Sequence, residues 1–205
     1  MESALRQCGG EPGLTLIETV LWTGATAPRW PLHLARLQRS ALALGWVLPE
    51  PAAPAGPASP ARLRLTLNAA GRLLWETHPL PAAKPHWSVS LAGQRLASDD
   101  PWLSVKSSRR AIHDAARAAL PAGIDEALFL NERGEISEGT ITTVFFDRGA
   151  GLRTPPLSSG LLPGVLRSEL ACPEEILWPE DLGTVRLWVG NALRGLIPAE
   201  YRARA

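Results

Sequence analysis

Apolar and polar positions change period several times along the chain, and each change marks an element. GLTLIETVLW, from Gly13 to Trp22, carries β-branched and aromatic residues and predicts a strand. PLHLARLQRSALALGWV then shifts to helical period, with Leu34, Leu37, Ala41 and Leu44 on one stripe. His33, Arg36 and Ser40 follow the same spacing and form a polar edge beside it, which puts Arg36 at the rim of the core. PEPAAPAGPASPA, from Pro49 to Ala61, is a Pro/Ala-rich connector without a core-forming pattern. ARLRLTLNAAGRLLWETHPL reads as two strands around an Asn68-Ala69-Ala70-Gly71 turn. Residues 1–13, which contain Gly and Pro, are expected to be poorly ordered.

PAAKPHW is a natural hinge, and it sets the expected division: a small N-terminal domain over 1–83 and a larger domain over 84–205. HWSVSLAGQRL predicts a strand. After Lys106 comes a helix with Ser107 or Ser108 as N-cap and Ile112, Ala115 or Ala116, and Ala119 inward, stopped by Pro121 and Gly123. EALFLNERGEISEGTITTVFFDRG reads as two strands joined at Asn131–Glu135, a hairpin built on Arg133-Gly134. LSSGLLPGVLRSELA is a loop feeding a short helix. VRLWVGNALRGLIPAEY is a buried strand followed by a turn around Asn191 to Gly195. No internal repeat is visible.

Composition narrows the function classes. At 205 residues, 45% of them hydrophobic, the chain has material for one large core or two small ones. Net charge is +1 and the arginines are scattered, which argues against a nucleic-acid surface. Cys8 and Cys172 are too few for a disulfide framework or a zinc site. With no long apolar run and no basic-then-apolar leader, the expected setting is cytoplasmic.

One choice of residue stands out. Of 21 Lys+Arg, only Lys84 and Lys106 are lysines. Arginine is always charged and cannot act as nucleophile or base, whereas lysine sheds its proton when its surroundings favour it. Lys84, flanked by Ala and Pro in the hinge, reads as a solvated linker charge. Lys106 is the candidate for chemistry. ISEGTITTVFF adds a carboxylate, Glu138, within a strand-forming run, where burial is costly unless a donor or cation meets it. Pro163-Gly164 before a helical segment offers N–H groups to an anion, and Arg36 could hold a phosphate with paired hydrogen bonds. Each also has a plain reading: a helix-start charge, a solvent-facing edge strand, an ordinary turn, an amphipathic helix edge. As a set they suit a phosphorylated pyridine aldehyde.

Six stretches then appear in a recognisable order from Leu16 to Ala199: LIETVLW, HLARLQRSALALGW, VKSSRRAIHDAARA, LNERGEISEGTITTVFF, GLLPGVLRSEL and VGNALRGLIPA. The chain resembles the class-IV aminotransferases, fold type IV of the pyridoxal-phosphate enzymes, and within them the 4-amino-4-deoxychorismate lyase-like domains. The resemblance implies an α+β fold with a small N-terminal domain and a larger pseudo-barrel domain, pyridoxal 5'-phosphate as cofactor, a small-molecule amino substrate and a homodimer. It makes Lys106 the Schiff-base lysine and general base, and Glu138 the partner of the pyridine nitrogen. Arg36 becomes a phosphate-binding arginine, and the Val165 and Leu166 amides, with Gly164, the phosphate-binding helix start. Thr142, Thr143, Asn191 and Ala192 become cofactor-facing residues. Lyase-like relatives often read Glu-Thr-Leu-Arg where this chain has Glu18-Thr19-Val20-Leu21, and Thr143 stands where an asparagine is usual. The sole tyrosine, Tyr201, does not match the family's aromatic ring near the cofactor. The implied activity is a lyase reaction giving 4-aminobenzoate and pyruvate, which belongs to folate biosynthesis. A branched-chain or D-amino-acid transaminase, or a catalytically silent relative, stays open beside it.

Overall fold

The first half of the chain builds a three-stranded antiparallel sheet from β1 (Thr15–Trp22), β2 (Ala61–Asn68) and β3 (Leu73–Pro79). Strict alternation in β2 buries Leu63, Leu65 and Leu67, which lie opposite Val20, Glu18 and Leu16 of β1. A Leu-rich face with one carboxylate in it is what the helix α2 (Trp30–Leu44) covers. The structure is a computed structural model and describes residues 4–203. Its contacts divide the chain into two units: residues up to Ala82 with Val105–Arg109, and Ala83–Ser104 with the residues from Arg110 onward.

The second unit is a six-stranded sheet in the order β6-β5-β4-β9-β8-β7. Its strands are β4 (Trp87–Leu96), β5 (Glu126–Asn131), β6 (Ile136–Gly139), β7 (Thr143–Asp147), β8 (Arg186–Asn191) and β9 (Gly195–Tyr201). The central strand β4 is parallel to β5 and β9, and the other pairings are antiparallel. A parallel β4–β5 pair needs a crossover, which α3 (Ala111–Ala118) lies within. The outer strands β6 and β7 are consecutive in the chain and joined by a turn in which the Gly139 N–H donates to the Thr142 carbonyl at 2.8 Å. The sheet therefore curls toward closure around a core that includes Val89, Leu128, Ile136, Val144, Phe146, Leu177 and Val189. This is the α+β, barrel-like organisation that the family resemblance implied.

Several local expectations change. EISEGTITTVFF forms two strands, β6 and β7, in place of one, because the chain turns sharply at Thr140–Thr142 over the buried Glu126 carboxylate. The helix after Lys106 starts at Ala111 with Arg110 at its cap, not at Ser107 or Ser108, because those two serines are taken up by pairing with β1. On α3, Ala116 is buried while Ala115 and Ala119 are exposed. Residues 4–13 are tied down: α1 (Ala4–Cys8) buries Leu5, Leu14 is buried, and the Trp46 indole donates to the Gly9 carbonyl at 2.9 Å. Residues 1–3, part of the stretch expected to be poorly ordered, lie outside the described residues. Finally, Leu34 is only half-buried, while the polar edge of α2 (His33, Arg36 and Ser40) is inside.

Candidate functional site

In the first unit, Lys106 is set by backbone pairing. The outer edge of β1 is free of β2, and residues 106–108 fill it: the Ile17 N–H donates to the Lys106 carbonyl at 2.9 Å, the Ser108 N–H to the Thr15 carbonyl at 2.8 Å, and Leu16 bridges Ser107. The backbone of a half-buried lysine is thus held as an added strand segment, fixed in register with β1. The same strand carries Glu18, 1% exposed. It takes the Arg36 Nε at 2.9 Å on Oε1 and the Arg36 Nη2 at 2.5 Å on Oε2, and His33 Nδ1 lies 2.6 Å from Oε2. Burial pushes the Glu18 carboxyl upward, but the Arg36 charge and the hydrogen bonds from His33 and Arg36 more than offset this, holding it at about 2 against an ordinary 4.5. Arg36 is therefore not at the rim of the core. It is 5% exposed, and Glu18 occupies part of its fork.

In the second unit, the end of β6 carries Glu138, 7% exposed. One donor meets each oxygen: His113 Nε2 lies 2.9 Å from Oε1, and the Leu162 N–H donates to Oε2 at 3.0 Å. His113 comes from α3 and stands edge-on to Phe129, ring centroids 5.0 Å apart. The turn just beyond Glu138 rests on Glu126, which is fully buried at the start of β5. That carboxylate accepts the N–H groups of Ala127 and Thr140 at 3.0 Å each and of Ile141 at 3.2 Å, the Thr142 hydroxyl at 2.8 Å and the Thr140 hydroxyl, with Arg117 Nη1 at 3.4 Å. Most of these donors, from Thr140, Ile141 and Thr142, are supplied by this turn conformation.

β7 begins at Thr143 beside this turn, and the GLLPG loop passes it. A Cβ placed on Gly164 would meet Thr143 Oγ1 at 2.8 Å, so a bare backbone is required there for the loop to lie this close. Gly164 caps α4 (Val165–Leu170), whose Val165 and Leu166 side chains are buried. Asn191, at the end of β8, donates from Nδ2 to the Ile141 carbonyl at 3.1 Å and accepts the Leu193 and Arg194 N–H groups, so it ties its own turn to the Glu126-anchored one. Ala192 is buried.

The second unit thus brings together Glu138, Thr142, Thr143, Gly164 and Asn191 through hydrogen bonds and close contacts. Lys106 and Arg36 belong to the first unit. Lys84, read as a linker charge, is exposed and ion-paired with Asp125 at 2.5 Å. Three participants were missed by sequence reasoning: Glu18, Glu126 and His113. The first two gave the same signal as Glu138, a lone carboxylate in an apolar run (LIETVLW, EALFLN). His113 stands three residues before the buried Ala116, one turn along α3.

Residues 15–200 match the family described as Amino-transferase class IV. The chain belongs to that family. Class IV aminotransferases are pyridoxal-phosphate enzymes, and this chain shares their fold. It is 40% identical to a Mesorhizobium loti protein provisionally named an amino-acid aminotransferase, with a TM-score of 0.86 over 92% of this chain and 100% of that one. It is 30% identical over 167 residues to a Schizosaccharomyces pombe protein provisionally named an aminodeoxychorismate lyase, covering 76% of this chain and 72% of that protein. A hypothetical aminotransferase from Mycobacterium tuberculosis, in its PLP-bound form, has the same fold at 24% identity, with a TM-score of 0.76 over 95% of this chain and 83% of that one. Among the described residues no helix is long and apolar enough to cross a membrane.

Proposed function

We propose that this class IV enzyme binds pyridoxal 5'-phosphate and carries out an aminodeoxychorismate lyase-type reaction, releasing 4-aminobenzoate and pyruvate. The observation that carries the cofactor reading is Glu138. A carboxylate buried to 7% exposure, with one donor on each oxygen, keeps further lone pairs for a third partner. A protonated ring nitrogen would suit those lone pairs. The uncovered backbone at Gly164 and the arm of Arg36 outside the Glu18 pair suit a phosphate in the same way.

When bound, the cofactor supplies an electron-accepting pyridine ring conjugated to the substrate's amine-bearing carbon. Lys106 would hold the cofactor's aldehyde carbon, and its Nζ could take a proton from the substrate's amine-bearing carbon. Glu138 would hold the proton at the ring nitrogen. Arg36 and the Val165 and Leu166 amides would anchor the phosphate, while Thr142, Thr143, Asn191 and Ala192 would line the cofactor. Loss of the enolpyruvyl group, followed by aromatisation to 4-aminobenzoate, makes the reaction strongly downhill. Support for the lyase over other class IV chemistries comes from the S. pombe relative. The amino-acid aminotransferase name of the M. loti protein favours the second reading, a transaminase. By family likeness the working form is a homodimer.

The deciding experiment mixes purified protein with pyridoxal phosphate and records its absorption, wild type against Lys106→Ala. It then measures pyruvate from aminodeoxychorismate without any keto acid. A cofactor band that needs Lys106, and pyruvate without an acceptor, are the expected results. An identical band in both proteins removes Lys106 from its role. Conversion of an L- or D-amino acid only when a keto acid is present selects the transaminase.

A further inference from the structure

Glu138 does not stand alone, and the group beside it has no place in the scheme above. His113 Nε2 is 2.9 Å from Glu138 Oε1, with side-chain exposures of 13% and 10%. The other ring nitrogen, Nδ1, is buried and has no hydrogen-bond partner among the described residues. The ring is held edge-on against Phe129, which is itself fully buried. A carboxylate only accepts, so the contact requires the proton on Nε2, and in the neutral ring this leaves Nδ1 as the bare nitrogen. The histidine is therefore oriented by one polar contact and one aromatic contact, and the polar contact is with Glu138.

We infer that His113 is a positioning residue that fixes the orientation of the Glu138 carboxylate for the ring nitrogen of the cofactor. The inference rests on the cofactor reading given above and deepens it. The Leu162 N–H pins Oε2 from a loop, and His113 pins Oε1 from a helix, so the carboxylate plane is set by two elements that approach from different parts of the unit. Without the histidine, Oε1 would lose its donor in a nearly dry place, and the carboxylate could turn about its last torsion. Two consequences follow: weaker cofactor binding, and a looser hold on the ring proton. A histidine present only to fill space beside Phe129 would produce neither.

The test compares His113→Gln with His113→Met in the full chain. The two side chains are close in length and bulk, and only glutamine keeps an N–H donor near the Nε2 position. The readouts are the dissociation constant of pyridoxal phosphate, followed by tryptophan fluorescence, and the absorption maximum of the bound cofactor. Glutamine is expected to stay within about threefold of wild type, and methionine to lose about tenfold in affinity, which is about 1.4 kcal/mol, with a displaced absorption maximum. In a Glu138→Gln background the difference between the two variants should vanish, since the partner being positioned is gone. Equal affinity and identical spectra for methionine and glutamine overturn the positioning role. So does a methionine deficit that persists unchanged in the Glu138→Gln background, because it would then be a packing effect. Wild-type protein that takes up no pyridoxal phosphate overturns the cofactor reading itself, and this inference with it.

Discussion

Glu18 on β1 and Arg36 on α2 are joined by two parallel hydrogen bonds, Nε to Oε1 at 2.9 Å and Nη2 to Oε2 at 2.5 Å. The pair consumes one N–H of each of those two nitrogens. Nη1 and the second Nη2 proton stay outside it, so the fork is oriented before any anion arrives. Replacing Glu18 with Gln should therefore do two things. It leaves a buried guanidinium poorly compensated, at a cost of about 3–5 kcal/mol, and it frees the fork to rotate. Urea unfolding should show the first effect, and a weakened dissociation constant for pyridoxal phosphate the second. Arg36→Lys, which keeps charge but not the fork, should lose cofactor affinity by more than tenfold.

The same pair predicts an acid limit. The Glu18 carboxyl is depressed in the folded protein, to about 2 from 4.5. A depressed carboxyl stabilises the fold above its unfolded value and loses that contribution as pH falls through the folded one. The window is thus pH 4.5 down to about 2, and the contribution is on the order of 3 kcal/mol. Unfolding free energy measured at pH 6, 4 and 3 should fall steadily in wild type. Glu18→Gln should start lower and show a shallower slope; an unchanged slope would remove Glu18 as its source.

Glu126 holds the turn on which Glu138 and Thr143 depend. Glutamine at this position keeps one acceptor oxygen and turns its amide donor either toward the Thr140 donors on Oε1 or toward the Ile141 and Thr142 donors on Oε2. The expected loss is about 2–4 kcal/mol from several buried donors left unmet. Cofactor affinity should fall too, although Glu126 touches no proposed cofactor atom, because the ends of β6 and β7 lose their fixed separation. Thermal melting and the dissociation constant, measured together on Glu126→Gln, check this; a change in one without the other would mean that the turn does not carry the site.

Periodicity was enough for the three-stranded sheet, for α2 and for the hairpin on Arg133-Gly134, since each is a local pattern with turn residues between. It was not enough for ion pairs across the fold. Arg36 looked like a rim residue because His33 and Ser40, three residues before and four after it, are polar, and nothing local says that a glutamate eighteen residues earlier faces it. Ser107 and Ser108 looked like helix caps because they precede a helical pattern. The edge of β1, ninety residues away in sequence, claimed their backbone first. The break between β6 and β7 depends likewise on Glu126, a residue of another strand. Lys106, Glu138 and the Pro163-Gly164 turn were legible as candidates because each residue type is unusual for its local pattern; Glu126 and His113, whose contacts lie beside Glu138, look ordinary in isolation.

Two glycines in the GLLPG loop should behave differently when given a Cβ. Gly160 has φ +78°, and a Cβ there would run into the Ser98 backbone. Gly160→Ala should cost about 3 kcal/mol or more, a strained conformation and a backbone clash together. Gly164 has an ordinary extended conformation, φ −65° and ψ 147°, and its Cβ would press only on the Thr143 hydroxyl. Gly164→Ala should cost about 1–2 kcal/mol in stability while lowering cofactor affinity disproportionately, because the added methyl covers the proposed phosphate amides. Melting curves and cofactor titrations on the two variants separate the roles.

The Pro/Ala-rich connector makes a last prediction that composition alone would not. It contains no strand or helix until β2 begins, yet the Trp22 indole donates to the Pro57 carbonyl at 2.7 Å, and a Cβ on Gly56 would meet the same indole ring at 2.8 Å. A segment with no core pattern of its own is thereby pinned to the end of β1 by one side chain. Trp22→Phe keeps much of the ring contact and removes the donor, at a cost of about 1 kcal/mol. Local opening of the connector should rise accordingly, so limited proteolysis should cut between residues 50 and 60 several-fold faster in the variant while the global melting temperature moves by only a few degrees. Gly56→Ala should reproduce the cleavage pattern by pushing the segment off the ring. If both variants resist protease as wild type does, something other than Trp22 holds the connector down.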